Sequence, residues 1–141
     1  MTLTIPDSHR DLFLRPVHGV LTTLMPDGQP QSSVVWVDYD GEAVLINSTL
    51  ERQKGRNMCA DPRVSLLVID PTNTSRWIEV RGQMIEATQD GAEAHADKLT
   101  QRYDGKQHFY GDIYPPEQRF RETRVIFRIE PLKISLDAVF K

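Results

Sequence analysis

The sequence predicts a mostly β fold, a small closed barrel of six or seven antiparallel strands with two or three helices on its outside. Three observations support this fold class. Apolar runs of strand length recur along the chain, turn signals containing Gly, Pro and Asp separate them, and few stretches show helical spacing. A chain of 141 residues suits one domain with a core of its own. We therefore expect residues 1–141 to form a single domain.

The first third of the chain predicts a short helix followed by three strands. Asp7–Leu14 has the spacing of a short amphipathic helix, and Pro16 ends it. The turn signals Pro26-Asp27-Gly28-Gln29 and Asp40-Gly41 separate the strands. The three predicted strands are Val17–Met25, Gln31–Asp38 and Ala43–Ile46. Tight turns between consecutive strands predict an antiparallel meander, and the all-apolar third strand predicts burial on both faces.

The middle of the chain predicts a short helix and two further strands. The helix covers Arg52–Ala60, and Asp61-Pro62 closes it. The strands that follow cover Arg63–Ile69 and Trp77–Ala87. Within the second of them, Gly82 indicates a bulge or a close approach of another backbone.

The last third predicts the longest helix, an aromatic loop and one or two strands. Asp90–Tyr103 shows helical spacing, and its first residue together with Glu93 predicts a capping box. Residues 106–118, called the aromatic loop below, contain one Phe, two Tyr and two adjacent Pro residues. Thr123–Glu130 alternates like a strand, and Lys133–Val139 is the candidate for the final one.

Composition narrows the functional classes. The net charge of −3 argues against a nucleic-acid-binding protein, which usually carries a basic face. The single cysteine, Cys59, excludes an intramolecular disulfide and a cysteine-based zinc site, and the four histidines lack metal-ligand spacing. Met1–Asp11 has no signal-peptide apolar core, and no apolar run approaches the ~20 residues that span a bilayer. We expect a cytoplasmic protein without a membrane or nucleic-acid partner and without a metal.

The segment from Asn47 to Asn57 has the composition of a phosphate-binding site. Short polar residues, Asn47, Ser48 and Thr49, follow the third predicted strand. The next residues, 51–57, carry three positive charges and one negative charge in an otherwise acidic protein. A strand that leads into a helix directs free backbone N–H groups and the helix dipole at one point, where Arg and Lys would add charge. The alternative is a solvated helix face whose Ser or Thr only caps the helix.

The order and spacing of several segments resemble the pyridoxamine-phosphate-oxidase-like split barrels. The matching segments are Gly19–Trp36, Arg52–Met58, Asp61–Val64, Trp77–Gly82 and, more weakly, Arg124–Ile129. The resemblance implies a split-barrel fold and a homodimer that binds FMN or the deazaflavin F420 between its subunits. The chain looks most similar to the short members described as probable F420-dependent reductases. It lacks the Arg-rich strand and the C-terminal Trp and Arg that mark true pyridoxamine-phosphate oxidases, which disfavours a vitamin B6 substrate.

The same resemblance implies a set of cofactor-binding residues. Arg52, Lys54 and Asn57 match the phosphate-binding positions, and residues 31–35 would run beside the ring and offer backbone hydrogen bonds to its pyrimidine edge. The complete predicted set is Gln31, Ser32, Ser33, Val34, Val35, Asn47, Ser48, Thr49, Arg52, Lys54, Gly55, Arg56, Asn57 and Trp77. For Trp77, a place in the core or at a subunit interface is the alternative.

The resulting hypothesis is a reductase that transfers a hydride from a flavin-type cofactor, F420 rather than FMN, to a small unsaturated or aromatic substrate. No catalytic residue is assigned. Tyr103, Tyr110, Tyr114 and His108 are candidate proton donors by residue type alone. One alternative is a non-catalytic module that carries or senses a flavin or haem-like ligand. Another is an interaction domain whose cofactor site has decayed.

Overall fold

A computed structural model describes residues 2–137 and contains one antiparallel sheet of seven strands. The strands are β1 Gly19–Leu24, β2 Pro30–Val35, β3 Asp38–Tyr39, β4 Val44–Thr49, β5 Arg63–Ile69, β6 Trp77–Thr88 and β7 Arg124–Leu136. The helices are α1 Gln53–Ala60 and α2 Ala92–Asp104, and shorter turns cover Arg10–Phe13, Phe109–Ile113 and Pro116–Phe120. No helix among the described residues is long and apolar enough to cross a membrane.

The sheet curls because its two edges are joined by a very short connection. The strand order is β2-β1-β5-β6-β7-β4-β3, so β2 and β3 lie at opposite edges. Yet Trp36 and Val37 alone separate these strands along the chain. An extended residue spans at most about 3.6 Å, so the two edges must meet. The predicted mostly β barrel with peripheral helices is therefore confirmed, and its interior is filled by Leu21, Ile46, Leu66, Ile78 and Phe127.

The predicted three-strand meander is wrong at its second strand. Residues 30–39 form two strands, of which β2 pairs with β1 and β3 pairs with β4. Along its whole length β4 pairs with β7, from Val44↔Ile129 to Thr49↔Arg124. Turn signals report only neighbours along the chain, so this long-range pairing had no local signature. The predicted burial of residues 43–46 on both faces is confirmed.

The polar residues at the start of the candidate phosphate segment belong to the strand and do not follow it. Asn47, Ser48 and Thr49 remain paired with β7 to the end of β4. Helix α1 then begins only four residues later, at Gln53. A Cβ atom at Gly55 would lie 2.1 Å from the carbonyl oxygen of Thr49. Glycine therefore lets α1 pack directly against the end of β4, which brings the strand hydroxyls and the helix cations together.

The predicted features of β6 are confirmed, and those of β7 are partly corrected. The register between the two strands shifts at Arg81/Gly82, and a Cβ at Gly82 would lie 2.1 Å from the carbonyl oxygen of Glu130. Gly82 thus marks both a bulge and a close approach. The two candidate C-terminal strands are one strand, β7, that continues through Pro131. The predicted end at Val139 lies outside the described residues.

Two predicted helix starts differ from the structure. The capping box of Asp90 and Glu93 is absent, because the residue that caps α2 is Gly91 in a left-handed conformation, without a side-chain hydrogen bond. The predicted helix at residues 7–14 is reduced to a 3-10 turn, Arg10–Phe13. The side chains of Leu12 and Phe13 are nevertheless fully buried, so the apolar pattern located the contact with the core.

Candidate functional site

A cavity of about 200 Å³ opens where β2, the end of β4, the start of α1 and the aromatic loop meet. Its lining residues are Val34, Val35, Trp36, Asn47, Ser48, Arg52, Lys54, Phe109, Ile113, Tyr114 and Arg124. The cavity therefore brings together predicted residues from three separate elements. These predicted residues are Val34, Val35, Asn47, Ser48, Arg52 and Lys54.

The other predicted residues lie outside the wall of this cavity. Gln31 and Ser32 bond to neighbouring β1 hydroxyls, at 3.3 and 2.8 Å. Thr49 accepts a hydrogen bond from the backbone N–H of Arg52 at 3.2 Å. Trp77 lies on β6, where its backbone N–H donates to Asp137 Oδ1 at 3.2 Å. A cofactor contact for each of these residues stays a prediction.

Asn57 and Arg56 are both hydrogen-bonded to neighbouring residues outside the cavity. Asn57 is 2% exposed, and its side-chain amide donates to Thr23 Oγ1 at 3.0 Å and accepts from Gln53 at 2.7 Å. Arg56 donates to Gln53 Oε1 at 2.5 Å and to the carbonyl oxygen of Glu51. Asn57 thus ties α1 to β1 in this structure, and its predicted role as a phosphate ligand is untested.

Lys54 is a half-buried cation of the cavity wall that has no counter-charge among the described residues. Burial, and then the nearby charge of Arg52, lower the pKa of the Lys54 ammonium. Among residues 2–137 it has neither an ion pair nor a hydrogen bond. A half-buried ammonium without a partner is costly, and an anion in the cavity would relieve that cost. The start of α1 adds the positive end of a helix dipole beside it.

Arg52 is held beside Lys54 by the aromatic loop. Its Nη2 donates to the hydroxyl of Tyr114 at 2.9 Å, and its guanidinium carbon lies 5.8 Å from the centre of that ring. The Arg52 side chain is otherwise exposed and so keeps donors available for an anion. Ser48, which is 5% exposed, adds a hydroxyl to the same wall, and no described residue bonds to it.

Arg124 forms the floor of the cavity and is already neutralised. Its three nitrogens donate to Tyr110 Oη at 3.2 Å, Asn47 Oδ1 at 3.0 Å and Glu122 Oε2 at 2.7 Å. The guanidinium also lies 4.2 Å from the centre of the Phe109 ring. Burial alone would raise the pKa of Glu122, but hydrogen bonds, including that from Arg124, hold it below its usual range. Arg124 is therefore a rigid part of the wall.

Arg124 is not among the site residues predicted from the sequence, although the resemblance resumes at this residue. The one local signal is an arginine at the start of an otherwise alternating apolar strand. Its three partners lie 2, 14 and 77 residues away along the chain. Contacts of that kind follow from the fold and have no sequence motif.

Asn47 connects the cavity to a buried charge cluster beneath helix α2. Its Nδ2 donates to the carbonyl oxygen of Ala92 at 2.8 Å and lies 3.1 Å from Nδ1 of His95. The other ring nitrogen of His95 lies 3.0 Å from Asp38. Lys98 and Arg102 also bond to the same buried carboxylate, each at 3.0 Å. This cluster fixes α2 against β3 and thereby fixes the orientation of the Asn47 amide.

Aromatic side chains form the remaining wall. Trp36 stacks on Tyr103 with ring centres 5.2 Å apart, and Phe109 meets Trp36 edge-on at 6.3 Å. Tyr114 in turn packs against Phe109 at 5.2 Å. The hydroxyl of Tyr103 donates to Val17 O at 2.7 Å and accepts from Val37 N, so it holds the barrel closed. The aromatic loop therefore supplies planar, apolar surface directly beside Arg52 and Arg124.

The size of the cavity shows that one chain does not enclose a large ligand. Pockets for drug-sized ligands usually measure about 300–1,000 Å³, against about 200 Å³ here. The cavity nevertheless continues at Val34 onto β2, which is an edge strand. Edge strands carry a row of backbone N–H and C=O groups without partners in the sheet. A ligand anchored in the cavity can extend along this edge.

A larger depression of about 440 Å³ lies on the outer sheet face near Arg63 and Arg81. We favour the smaller cavity as the functional site because the two arginines of the larger one are paired with Asp61 and Glu79. The aromatic wall, the Ser48 hydroxyl and the half-buried ammonium of Lys54 all belong to the smaller cavity.

Comparison with solved structures identifies several proteins of the same fold. A protein named F420 reductase is 38% identical, with a TM-score of 0.80 over 93% of this chain and 98% of its own. The conserved hypothetical protein Rv2991 of Mycobacterium tuberculosis is 25% identical, with a TM-score of 0.71 over 96% of this chain and 85% of its own. HupZ from Group A Streptococcus shares the fold at 17% identity, with a TM-score of 0.67 and 95% of each chain covered.

A family model provides the broader assignment. The model for pyridoxamine 5'-phosphate oxidase matches residues 5–136, which include every element of the barrel from β1 to β7. The match spans the cavity and its aromatic loop as well as the segments that carried the resemblance in sequence. This chain belongs to the pyridoxamine 5'-phosphate oxidase family.

Proposed function

We propose that this protein is an oxidoreductase that binds a flavin-type cofactor, with the cofactor phosphate in the 200 Å³ cavity. The observation that carries the proposal is the half-buried, unpaired ammonium of Lys54 beside the guanidinium of Arg52. Family membership and the similarity to a protein named F420 reductase support the same chemistry. F420 is favoured over FMN because that similarity, at 38% identity, covers nearly the whole chain.

The described side chains fit the phosphate of such a cofactor. Lys54 would supply a point charge, Arg52 a planar set of donors and Ser48 a neutral hydroxyl. All three line one cavity, and the cavity presents the start of α1 to the same point. Arg124 would shape this end of the site but bind the phosphate less, because Glu122 already neutralises it.

The ring system fits along β2. The hydroxyl of Ser33 is buried and has no hydrogen-bond partner among the described residues, which is unusual in a native protein. Ser33 lies next to Val34, which lines the cavity. Ser33 pairs with Leu21 of the barrel interior, so its side chain lies on the opposite face of β2 from Val34, and a planar ligand beside this edge strand would bond instead to the free backbone groups of β2. This placement agrees with the backbone contacts predicted for residues 31–35.

A second copy of the chain would complete the site. Val34 is 66% exposed and pairs across the sheet with Val20, which pairs with Leu67. This apolar row crosses three strands on the outer face and begins at the mouth of the cavity. Covering it with a second subunit would bury the row and enclose the part of the cofactor that one chain leaves open. We therefore propose a homodimer with the cofactor at the subunit interface.

The chemistry of hydride transfer would come from the bound cofactor. The chain would hold the phosphate, orient the ring along β2 and exclude water with the aromatic wall. Trp36, Phe109 and Tyr114 present planar surfaces next to the site, which suits a small unsaturated or aromatic substrate. No catalytic side chain is part of the proposal.

A titration of the purified protein with F420 and with FMN, followed by fluorescence, tests this proposal. We expect binding of F420 at least as tight as that of FMN, and a loss of about tenfold or more in Lys54→Ala. Lys133→Ala is the matched control, because this lysine lines the larger depression. Wild-type protein that binds neither cofactor, or equal losses in both variants, would refute the proposed site.

One observation favours a carrier or sensor as the second candidate. The hydroxyls of Tyr103 and Tyr110, two of the candidate proton donors, are bonded to backbone and to Glu122. A third, His108, is exposed and 3.6 Å from Asp97. Turnover separates the two functions. Steady oxidation of reduced F420 or FMN by a panel of enones and quinones would eliminate a purely binding role.

A further inference from the structure

Tyr114 presents a hydroxyl whose proton is free at the mouth of the cavity. Its oxygen accepts a hydrogen bond from Arg52 Nη2 at 2.9 Å. Within residues 2–137 no acceptor lies within hydrogen-bond distance of its own O–H. A phenol that accepts from a cation directs its proton away from that cation. Tyr114 lines the cavity together with Lys54, so an acceptor bound in the cavity is a candidate partner for this proton.

The other tyrosines near the site differ in this respect. Tyr110 donates to Glu122 Oε2 at 2.7 Å, and Tyr103 donates to Val17 O at 2.7 Å. Neither residue lines the cavity. Among the tyrosines of the aromatic loop, Tyr114 therefore combines an accessible position with an uncommitted donor.

Three donors that line the cavity share one property, which is that none has an acceptor among the described residues. Lys54 lacks a counter-charge, Ser48 has a hydroxyl without a described partner, and Tyr114 has a free O–H. Arg52 lies between the helix and the loop and contacts Tyr114 directly. An anion with several acceptor oxygens would satisfy all of them at once, whereas a neutral apolar ligand would leave them unpaired.

We propose that Tyr114 donates its hydroxyl proton in a hydrogen bond to the cofactor phosphate, so that the aromatic loop closes the phosphate end of the site. This inference rests on the proposed function and adds a binding residue from the loop to those from β4 and α1. Arg52 acts in it twice, as a phosphate donor and as the positioning group that turns the Tyr114 hydroxyl towards the cavity. A role of the ring alone, by packing on Phe109, would not require the hydroxyl.

The test compares ligands that differ only in the phosphate. Wild type and Tyr114→Phe are titrated with F420, FMN and riboflavin by fluorescence, and with inorganic phosphate by NMR. We expect the variant to lose about tenfold in affinity for FMN and for inorganic phosphate, and to bind riboflavin like wild type. Tyr39→Phe is the matched control, because its hydroxyl bonds to Gly41 O and Ile5 N, away from the cavity. Tyr114→Leu also removes the ring and reports its separate contribution.

The outcomes separate this inference from the proposed function. Equal losses for FMN and riboflavin in Tyr114→Phe would assign the effect to packing and overturn the hydrogen bond. Unchanged FMN affinity in a variant that unfolds like wild type would also overturn it. If wild type binds no flavin or deazaflavin but binds inorganic phosphate more tightly than Tyr114→Phe does, the hydrogen bond stands and the cofactor assignment falls.

Discussion

Gly55 of helix α1 lies directly against the carbonyl oxygen of Thr49 at the end of β4. A Cβ atom at this glycine would come within 2.1 Å of that oxygen. The backbone contact sets the distance between the strand that carries Ser48 and the helix that carries Lys54. The candidate phosphate site therefore depends on the absence of a side chain at Gly55.

Gly55→Ala is expected to separate α1 from β4. Because the overlap is with backbone rather than with a flexible side chain, the helix must shift, at a cost of about 1–3 kcal/mol in the free energy of unfolding. FMN or F420 affinity should fall with it. Urea unfolding and cofactor titration measure the two effects. Cys59→Ala, at an exposed position of the same helix, is the control and should change neither. If Gly55→Ala kept the stability and the cofactor affinity of wild type, the close contact between Gly55 and Thr49 would be contradicted.

Arg124→Lys is expected to weaken both the fold and the site. Lysine keeps the charge but cannot reach Tyr110, Asn47 and Glu122 at once, so buried acceptors would lose their donors. We expect a loss of about 2–3 kcal/mol in unfolding free energy and a lower cofactor affinity. Denaturant unfolding and fluorescence titration provide the measurements. Arg121→Lys, on the exposed surface nearby, should behave like wild type; a similar loss there would show that the effect is not specific to the cavity floor.

Asp38 makes stability depend on pH in the acid range. Burial alone would raise its pKa, but hydrogen bonds, first from His95 and then from Lys98, lower it well below its usual range. A lowered folded pKa stabilises the protein above the unfolded pKa of about 3.9, and this stabilisation is lost progressively as pH falls below it. Asp38→Asn should therefore be destabilised at neutral pH by about 3 kcal/mol or more, because it leaves the largely buried guanidinium of Arg102 without its carboxylate.

Thermal or urea unfolding between pH 7 and pH 2 tests this dependence. The difference between wild type and Asp38→Asn should shrink as the solution becomes more acidic. Asp104→Asn is the control, since this carboxylate lies 4.0 Å from Lys106 on the surface. A constant difference across the whole pH range would show that the charge of Asp38 is not the cause.

The sequence located the strands and the basic segment well, because both have local signatures. Tight turns, alternation and the glycine at position 82 follow from backbone geometry within a few residues. The break at Trp36 and Val37 had no such signature, because it results from the closure of the sheet through β7. For the same reason Arg124 and Tyr114, which approach the cavity from distant parts of the chain, could not be placed without the fold.

Asn57 illustrates the difference between a motif and a site. Resemblance placed it among the phosphate ligands, and the structure shows its amide bonded to Thr23 and Gln53. Position along a helix predicts the face on which a side chain lies, but not which neighbour it meets there. Lys54, three residues earlier, has no such neighbour among the described residues, and this makes it the stronger candidate.

The apolar row on the outer sheet face predicts that a charge at Val20 disrupts the proposed dimer. This residue is 36% exposed and lies between Val34 and Leu67 across the strands. If a second copy covers the row, Val20→Lys would place a charge in the interface and favour the monomer. Sedimentation velocity of wild type and variant measures this. Phe120→Lys, at an 84% exposed aromatic residue in the turn before β7, is the control and should leave the assembly unchanged. A monomeric wild-type protein would exclude the proposed dimer.

Lys54 predicts opposite pH effects on binding and on stability. Its pKa is lowered by burial and then by Arg52, so the ammonium is lost at a lower pH than for an exposed lysine, near 10.4. As the pH rises, FMN affinity should therefore begin to fall before the pH reaches that value, because the phosphate needs the charged form of Lys54. The empty protein should respond in the other direction. A lowered folded pKa means that the unfolded chain binds more protons between the two pKa values, so this group makes stability rise with pH there.

Lys54→Arg keeps its charge throughout this range, so its FMN affinity should stay level where that of wild type falls. Titrations of both proteins between pH 7 and pH 10 make the comparison, and parallel curves for the two would mean that the ammonium of Lys54 does not contact the phosphate.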